Sequence, residues 1–215
     1  MRAITKGAEP SSLTVHRQTR YSDYANYIDK ASLRYSLLTE QRGICCYCMG
    51  RIRIGEKTMK IEHWRCQSRF TDEQLSYDNL LGACLGGGDN QPPNLQHCDA
   101  RKGNRDLRFN PANSSHRVQT RLRYEANGCI RSDDPVFDKQ LESVLNLNLA
   151  FLKNNRKGVL DAVLEWWKYE KNHGVLQKAD FKKKRDKYTG GSGELNPFCQ
   201  VAVWWLEQRL ARMTP

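Results

Sequence analysis

The segment Cys45-Cys46-Tyr47-Cys48 constrains the fold of this chain more than any other feature. Cys45 and Cys48 stand at Cys-x-x-Cys spacing, which lets two thiolates in one tight turn take adjacent corners of a tetrahedron. Cys46 is then the spare. Cys84 and Cys98 could close the tetrahedron if the Gly- and Pro-rich stretch between them folds outward and returns both sulfurs to one point. Their thirteen intervening residues are more than a compact zinc module uses, and the other reading keeps Cys84 and Cys98 as ordinary buried thiols. Cys66, Cys129 and Cys199 stand alone and read as structural thiols. A thioredoxin-like redox motif does not fit, because no βαβ pattern surrounds Cys45 to Cys48.

Whether eight cysteines mean cystines or metal depends on the compartment. The first ten residues hold no apolar signal core, and no stretch resembles an apolar span of about 20 residues. The expectation is therefore a soluble, cytoplasmic protein in which clustered cysteines bind zinc. The 35 Lys and Arg outnumber the 24 Asp and Glu, a net charge of +11, which favours a polyanionic partner over an acidic small substrate. The excess is spread along the chain: 21 basic against 15 acidic residues up to 134, then 14 against 9.

Periodicity divides the chain into three contiguous regions. In residues 1–43, apolar positions from Tyr21 to Gln41 recur at helical spacing and predict an amphipathic helix that Gly43 stops. Residues 44–111 hold short strand-like pieces, most of the cysteines and the loop-forming run Gly86 to Pro93. In 112–215, Val118 to Ser132 carries Asn127-Gly128 and predicts a β-hairpin with a two-residue turn. Helices are expected over Phe137–Lys153, Gly158–Asn172, Lys178–Lys187 and Pro197–Arg212. Trp166, Trp167, Trp204 and Trp205 read as core or rim residues of these helices, and Lys182-Lys183-Lys184-Arg185 as a solvated helix face that is compatible with phosphate contact.

Inside the middle region, Thr58 to Trp64 reads as a short strand with Glu62 and His63 at its exit. Such a pair alone is most simply a salt bridge or a core histidine. Its company changes the reading: Asn79 follows in Tyr77-Asp78-Asn79-Leu80-Leu81, then Cys84, then His97-Cys98-Asp99-Ala100-Arg101-Lys102-Gly103. Phosphodiester hydrolysis needs a base to deprotonate water, a hard Lewis acid on the phosphate and oxygen ligands for that ion. His63, a divalent cation, and Glu62 with Asp99 can supply them.

The order Cys-x-x-Cys, acid-His, Asn-Leu, Cys, then Cys followed by a metal-ligand residue resembles the HNH nucleases. More closely, residues 1–10, "EQRGICCYCM", "IEHW", "LSYDNLLGAC" and "HCDARKG" are similar to the HNH endonuclease subunit of Septu-type and retron-associated anti-phage defence systems, over roughly residues 1–111. The resemblance implies an α+β fold: a zinc-braced ββα-metal nuclease core with an N-terminal helix, a β-hairpin and a mainly helical C-terminal part. It implies Cys45, Cys48, Cys84 and Cys98 on a structural zinc, Glu62 and Asp99 on a catalytic divalent ion, His63 as general base, and Asn79 bonding backbone across the loop to aim the His63 ring. A carboxylate at position 99, where the family often has His or Asn, favours Mg²⁺ or Mn²⁺; His97 is the alternative ligand. Arg65, Arg101 and Lys102 could reach phosphate of a nucleic acid, DNA first. The resemblance also implies an ABC-type ATPase partner. A zinc-braced binding module without chemistry is the competing expectation, and it gives Glu62, His63 and Asp99 no joint purpose.

Overall fold

The structure is a computed structural model that describes residues 1–88 and 91–213; Asp89 and Asn90, within the expected Gly86–Pro93 loop, lie outside the described residues. Among the described residues the fold is α+β, with two small antiparallel sheets and mainly helical content. The N-terminal region holds two helices where one was expected, α1 (Ser11–Arg17) and α2 (Lys30–Glu40). The periodic stretch starts turning as a helix only at Lys30 because the Asp29 side chain accepts from the Ser32 N–H and fixes the first turn there. Tyr21, with φ of 62°, cannot continue a helix.

The middle region opens with a cysteine turn in which Ile44 and Arg51 form an isolated antiparallel bridge. Strands β1 (Lys60–His63) and β2 (Leu80–Ala83) pair antiparallel, Lys60 opposite Ala83 and His63 opposite Leu80. A short helix, α3 (Cys98–Lys102), follows. Gln41 ties α2 to this sheet: its amide accepts from Gly82 N–H (2.6 Å) and donates to Gly82 O (2.7 Å), taking the place of a neighbouring strand.

The hairpin β3 (Leu122–Tyr124) and β4 (Ile130–Ser132) forms, but its loop spans Glu125 to Cys129 rather than two residues. Gly128 N–H bonds Glu125 O, so Asn127-Gly128 closes a turn inside that longer loop. Val118 to Arg121, expected as strand, winds into a 3₁₀ turn.

The expected Phe137–Lys153 helix is two: α4 (Pro135–Ser143) and the start of α5 (Ala150–His173). Asn146 at φ of 51° breaks the run, and Leu145 O accepts from Cys98 N–H, so the break serves the cysteine site. Helix α5 runs on through Gly158. Helix α6 (Lys178–Thr189) follows, and α7 (Gln200–Arg212) begins three residues after the expected Pro197 because Phe198 sits at φ of 57°, its N–H on Met49 O. The four helical tryptophans are half-buried against the core, Trp167 edge-on to Trp205 and Trp166 edge-on to Phe181. One hydrophobic cluster draws residues from all three regions, from Leu13 and Leu37 through Leu80 and Leu81 to Phe137, Val163 and Leu206. No described helix is long and apolar enough to cross a membrane.

Candidate metal centre and hydrolytic site

Four sulfurs, from Cys45, Cys48, Cys84 and Cys98, lie within 4.8 Å of one another. Cys45 and Cys98 sulfurs are 3.9 Å apart, and those of Cys48 and Cys84 3.8 Å. A tetrahedral zinc with bonds of about 2.3 Å spaces its sulfurs about 3.8 Å apart, so the quartet fits one ion and can hold a metal such as zinc. The backbone is arranged for thiolates: Gly50 N–H points at Cys48 Sγ and Cys84 N–H at Cys45 Sγ, each at 3.3 Å. Burial raises the Cys45 thiol, but contacts from Cys46, Cys48, Cys84 and Cys98 outweigh it and hold Cys45 well below the ordinary thiol range. The reading of Cys84 and Cys98 as unrelated thiols does not survive this geometry. Cys199 packs in a separate small cluster with Ile44, Met49 and Leu195, and Cys66 and Cys129 are buried singly.

Next to this centre, β1 and α3 face each other. Glu62 and Lys102, both essentially buried, pair at 2.8 Å. Tyr47, from inside the cysteine turn, donates its hydroxyl to the same Glu62 oxygen at 2.7 Å. Lys102 also donates to His63 O at 3.0 Å. This removes Lys102 from the surface: the side chain expected to reach phosphate is instead a buried counter-charge beneath β1. Burial pushes the Glu62 carboxyl well above its usual range, and the adjacent Asp99 carboxylate pushes it further, while Lys102 opposes. Asp99, one residue past Cys98 in the first turn of α3, is partly exposed and approaches Lys60 at 3.5 Å. Two neighbouring carboxylates, each with one lysine beside it, bring oxygen donors of the kind a hard cation takes to one spot.

His63 exits β1 with its Nε2 3.0 Å from Gln74 O. A carbonyl only accepts, so Nε2 carries the proton and Nδ1 the lone pair. Burial lowers the His63 pKa to about 4, with the nearby Lys102 charge adding to the effect and the Gln74 contact opposing it, so the ring is neutral near pH 7 and its Nδ1 can accept a proton. Gln67 Nε2 sits 3.0 Å from that Nδ1, and the Tyr24 ring meets the imidazole edge-on at a centroid distance of 4.5 Å.

Asn79 is buried and spends its whole amide on the intervening loop. Its Oδ1 accepts from Arg65 N–H at 2.7 Å, and its Nδ2 donates to Arg65 O and Glu73 O at 3.0 and 3.1 Å. Trp64 N–H bonds Asn79 O. The loop from Trp64 to Gln74, which carries both partners of His63, is thus fastened to β2. A cavity of about 350 Å³ opens beside these groups, lined by Glu62, His63, Cys66, Gln67, Asp99 and Asn104 among others.

No family model matches the chain, and no curated protein matches it. The geometry gathers Glu62, His63 and Asp99 around one cavity, with Asn79 behind them on the loop backbone. His97 it sends the other way, its Nδ1 3.2 Å from Cys98 Sγ and 3.9 Å from Cys84 Sγ, so between the two alternatives Asp99 is the one facing Glu62. Arg65 is exposed and paired with Glu73 at 2.5 Å, and Arg101 donates to Pro93 O at 3.0 Å. Tyr47, Gln67 and Gln74 were not anticipated; only Tyr47 left a trace in the sequence, by lying within the cysteine turn. Among the described residues the cysteine quartet is the one group of three or more ligating side chains within reach of a single ion; Glu62 and Asp99 form a pair.

Proposed function

We propose that this protein is a metal-dependent HNH-type endonuclease of the ββα-metal class, hydrolysing phosphodiester bonds of nucleic acid, DNA first, with zinc on its four cysteines. The observation that carries the reading is the place of His63: a buried histidine, anchored through Nε2 on Gln74 O, on the wall of a cavity that it shares with Glu62 and Asp99. Two antiparallel strands followed by a short helix, with the acid-His pair at the exit of the first strand and Asp99 on the helix, match the order that the sequence resemblance implies.

Glu62 and Asp99 would hold the divalent ion, Mg²⁺ or Mn²⁺, through the carboxylate oxygens that Tyr47 and Lys102 leave open. Mg²⁺ commonly takes only one or two carboxylates and completes its shell with water and substrate phosphate, so a pair suffices. When bound, the ion supplies Lewis-acid stabilisation of charge on the phosphate and on the leaving 3′ oxygen. His63 Nδ1 accepts the proton of the attacking water. Gln74 stabilises the resulting imidazolium through its carbonyl, and Asn79 keeps the loop that carries Gln74 in place. Lys102 anchors Glu62 and the end of β1 from below.

From the resemblance we further propose that the protein acts as the nuclease effector of an anti-phage defence system beside an ABC-type ATPase, which would restrain it until infection. The test is the chemistry of the products: end-labelled DNA and RNA incubated in Mg²⁺ or Mn²⁺, alone and with the ATPase, should yield 5′-phosphate and 3′-hydroxyl ends. Cyclic phosphate or 3′-phosphate ends would contradict the assigned roles, and no cleavage with intact DNA binding would favour the binding-module reading.

A further inference from the structure

Gln67 holds a contact that the hydrolytic reading does not use. Its side chain is exposed, in a turn closed by Arg69 N–H and Phe70 N–H on Cys66 O, and its Nε2 is 3.0 Å from His63 Nδ1. With Nε2–H of the ring committed to Gln74 O, Nδ1 is the ring's single acceptor, and the Gln67 amide fills it. No lone pair is then left for water.

Resting on the nuclease reading, we propose that the Gln67 side chain caps the base nitrogen of His63, and that water gains that nitrogen only when the amide swings aside. The ring does not depend on Gln67 for its orientation. Gln74 O holds Nε2, the Tyr24 ring packs edge-on against it, and Asn79 fixes the backbone on both sides through Arg65 and Glu73. The turn bearing Gln67 is also fastened, by Arg69 donating to Asp106 at 2.7 and 2.9 Å and to Asn104 O at 2.5 Å. Uncapping is therefore a side-chain rotation toward solvent, which an exposed glutamine makes rapidly, and needs no movement of the backbone. The cavity beside Gln67, about 350 Å³ and lined by His63 and Gln67 alike, is where the arriving phosphate would sit.

The cap predicts a gain of function. Full-length, zinc-loaded Gln67→Ala should cleave plasmid DNA about 2- to 10-fold faster than wild type in single turnovers, the range set by one neutral hydrogen bond, with KM unchanged. In substrate-free protein labelled with ¹⁵N, the His63 Nδ1 resonance should move toward that of an unbonded ring nitrogen while Nε2 stays in place. Gln67→Asn, too short to reach, should behave like the alanine variant. A Gln67→Ala rate at or below wild type overturns the cap; if the Nδ1 resonance has nonetheless moved, the amide positions water instead. His63→Ala separates the two claims: if wild type cuts and His63→Ala does not, the Gln67 result alone decides, whereas cutting by His63→Ala sinks the nuclease assignment of the ring, and the cap with it.

Discussion

At the scale of single residues, His63 couples the site to stability as well as to chemistry. Its folded value of about 4 lies below its ordinary 6.5, so between those limits the unfolded chain binds the proton that the folded chain refuses. The contribution is fully present above pH 6.5 and is eroded as pH falls toward 4, by an amount on the order of 3 kcal/mol at most. Unfolding free energy of wild type should therefore fall more steeply from pH 6.5 to 4 than that of His63→Ala; parallel curves would mean that the ring is not buried as described. Asn79→Ala removes three hydrogen bonds and should cost about 2–3 kcal/mol, with cleavage falling because the Gln74 end of the loop loosens. That Glu62, His63 and Asp99 come together was legible as a motif because they sit beside landmarks in the chain. The partners of His63 were not: Gln67 and Gln74 are common residue types on a loop, and nothing in their spacing says that one meets each ring nitrogen. Lys102 was misplaced for a related reason. A lysine in a basic segment reads as solvated, and its burial becomes visible only once α3 packs under β1 and brings it to Glu62.

At the scale of elements, the departures from periodicity have local causes that serve the metal centre. The break between α4 and α5 presents Leu145 O to Cys98 N–H, and the late start of α7 presents Phe198 N–H to Met49 O; the apolar spacing runs on through the first and up to Pro197 in the second, so a sequence pattern alone misses both. The hairpin was legible from Asn127-Gly128, but its longer loop was not. The turn between β2 and α3 offers a sharper test. Gly86 has φ of 62°, and a Cβ there would stand 2.0 Å from His97 O, whereas Gly191, at φ of 71°, has open space around it. Gly191→Ala should cost only the left-handed backbone penalty of about 1 kcal/mol. Gly86→Ala must also move His97 and with it Cys98, so zinc content measured by metal analysis should drop. Full zinc occupancy in Gly86→Ala would show that the loop does not set the Cys98 position.

For the whole molecule, the sulfur quartet joins three separate stretches of chain, while the hydrophobic cluster ties in the N-terminal and C-terminal helices. Short strands of four residues and a five-residue helix bury little by themselves, so the centre's cross-links should matter to the entire fold. Stripping zinc with a chelator, or Cys84→Ser, should lower the unfolding temperature of the full chain rather than loosen one segment, as read by near-ultraviolet ellipticity of the distant tryptophans. The charge of +11 adds a second expectation at this scale: DNA affinity should fall steeply with salt, in proportion to the number of phosphates contacted. Plasmid cleavage by purified, zinc-loaded protein, alone and with the ATPase, in Mg²⁺, Mn²⁺ or EDTA, beside His63→Ala, decides whether His63 is the base of a metal-dependent nuclease. Cutting should require the divalent ion and vanish in the variant while zinc content and folding stay intact; cutting by His63→Ala at the wild-type rate would rule that role out.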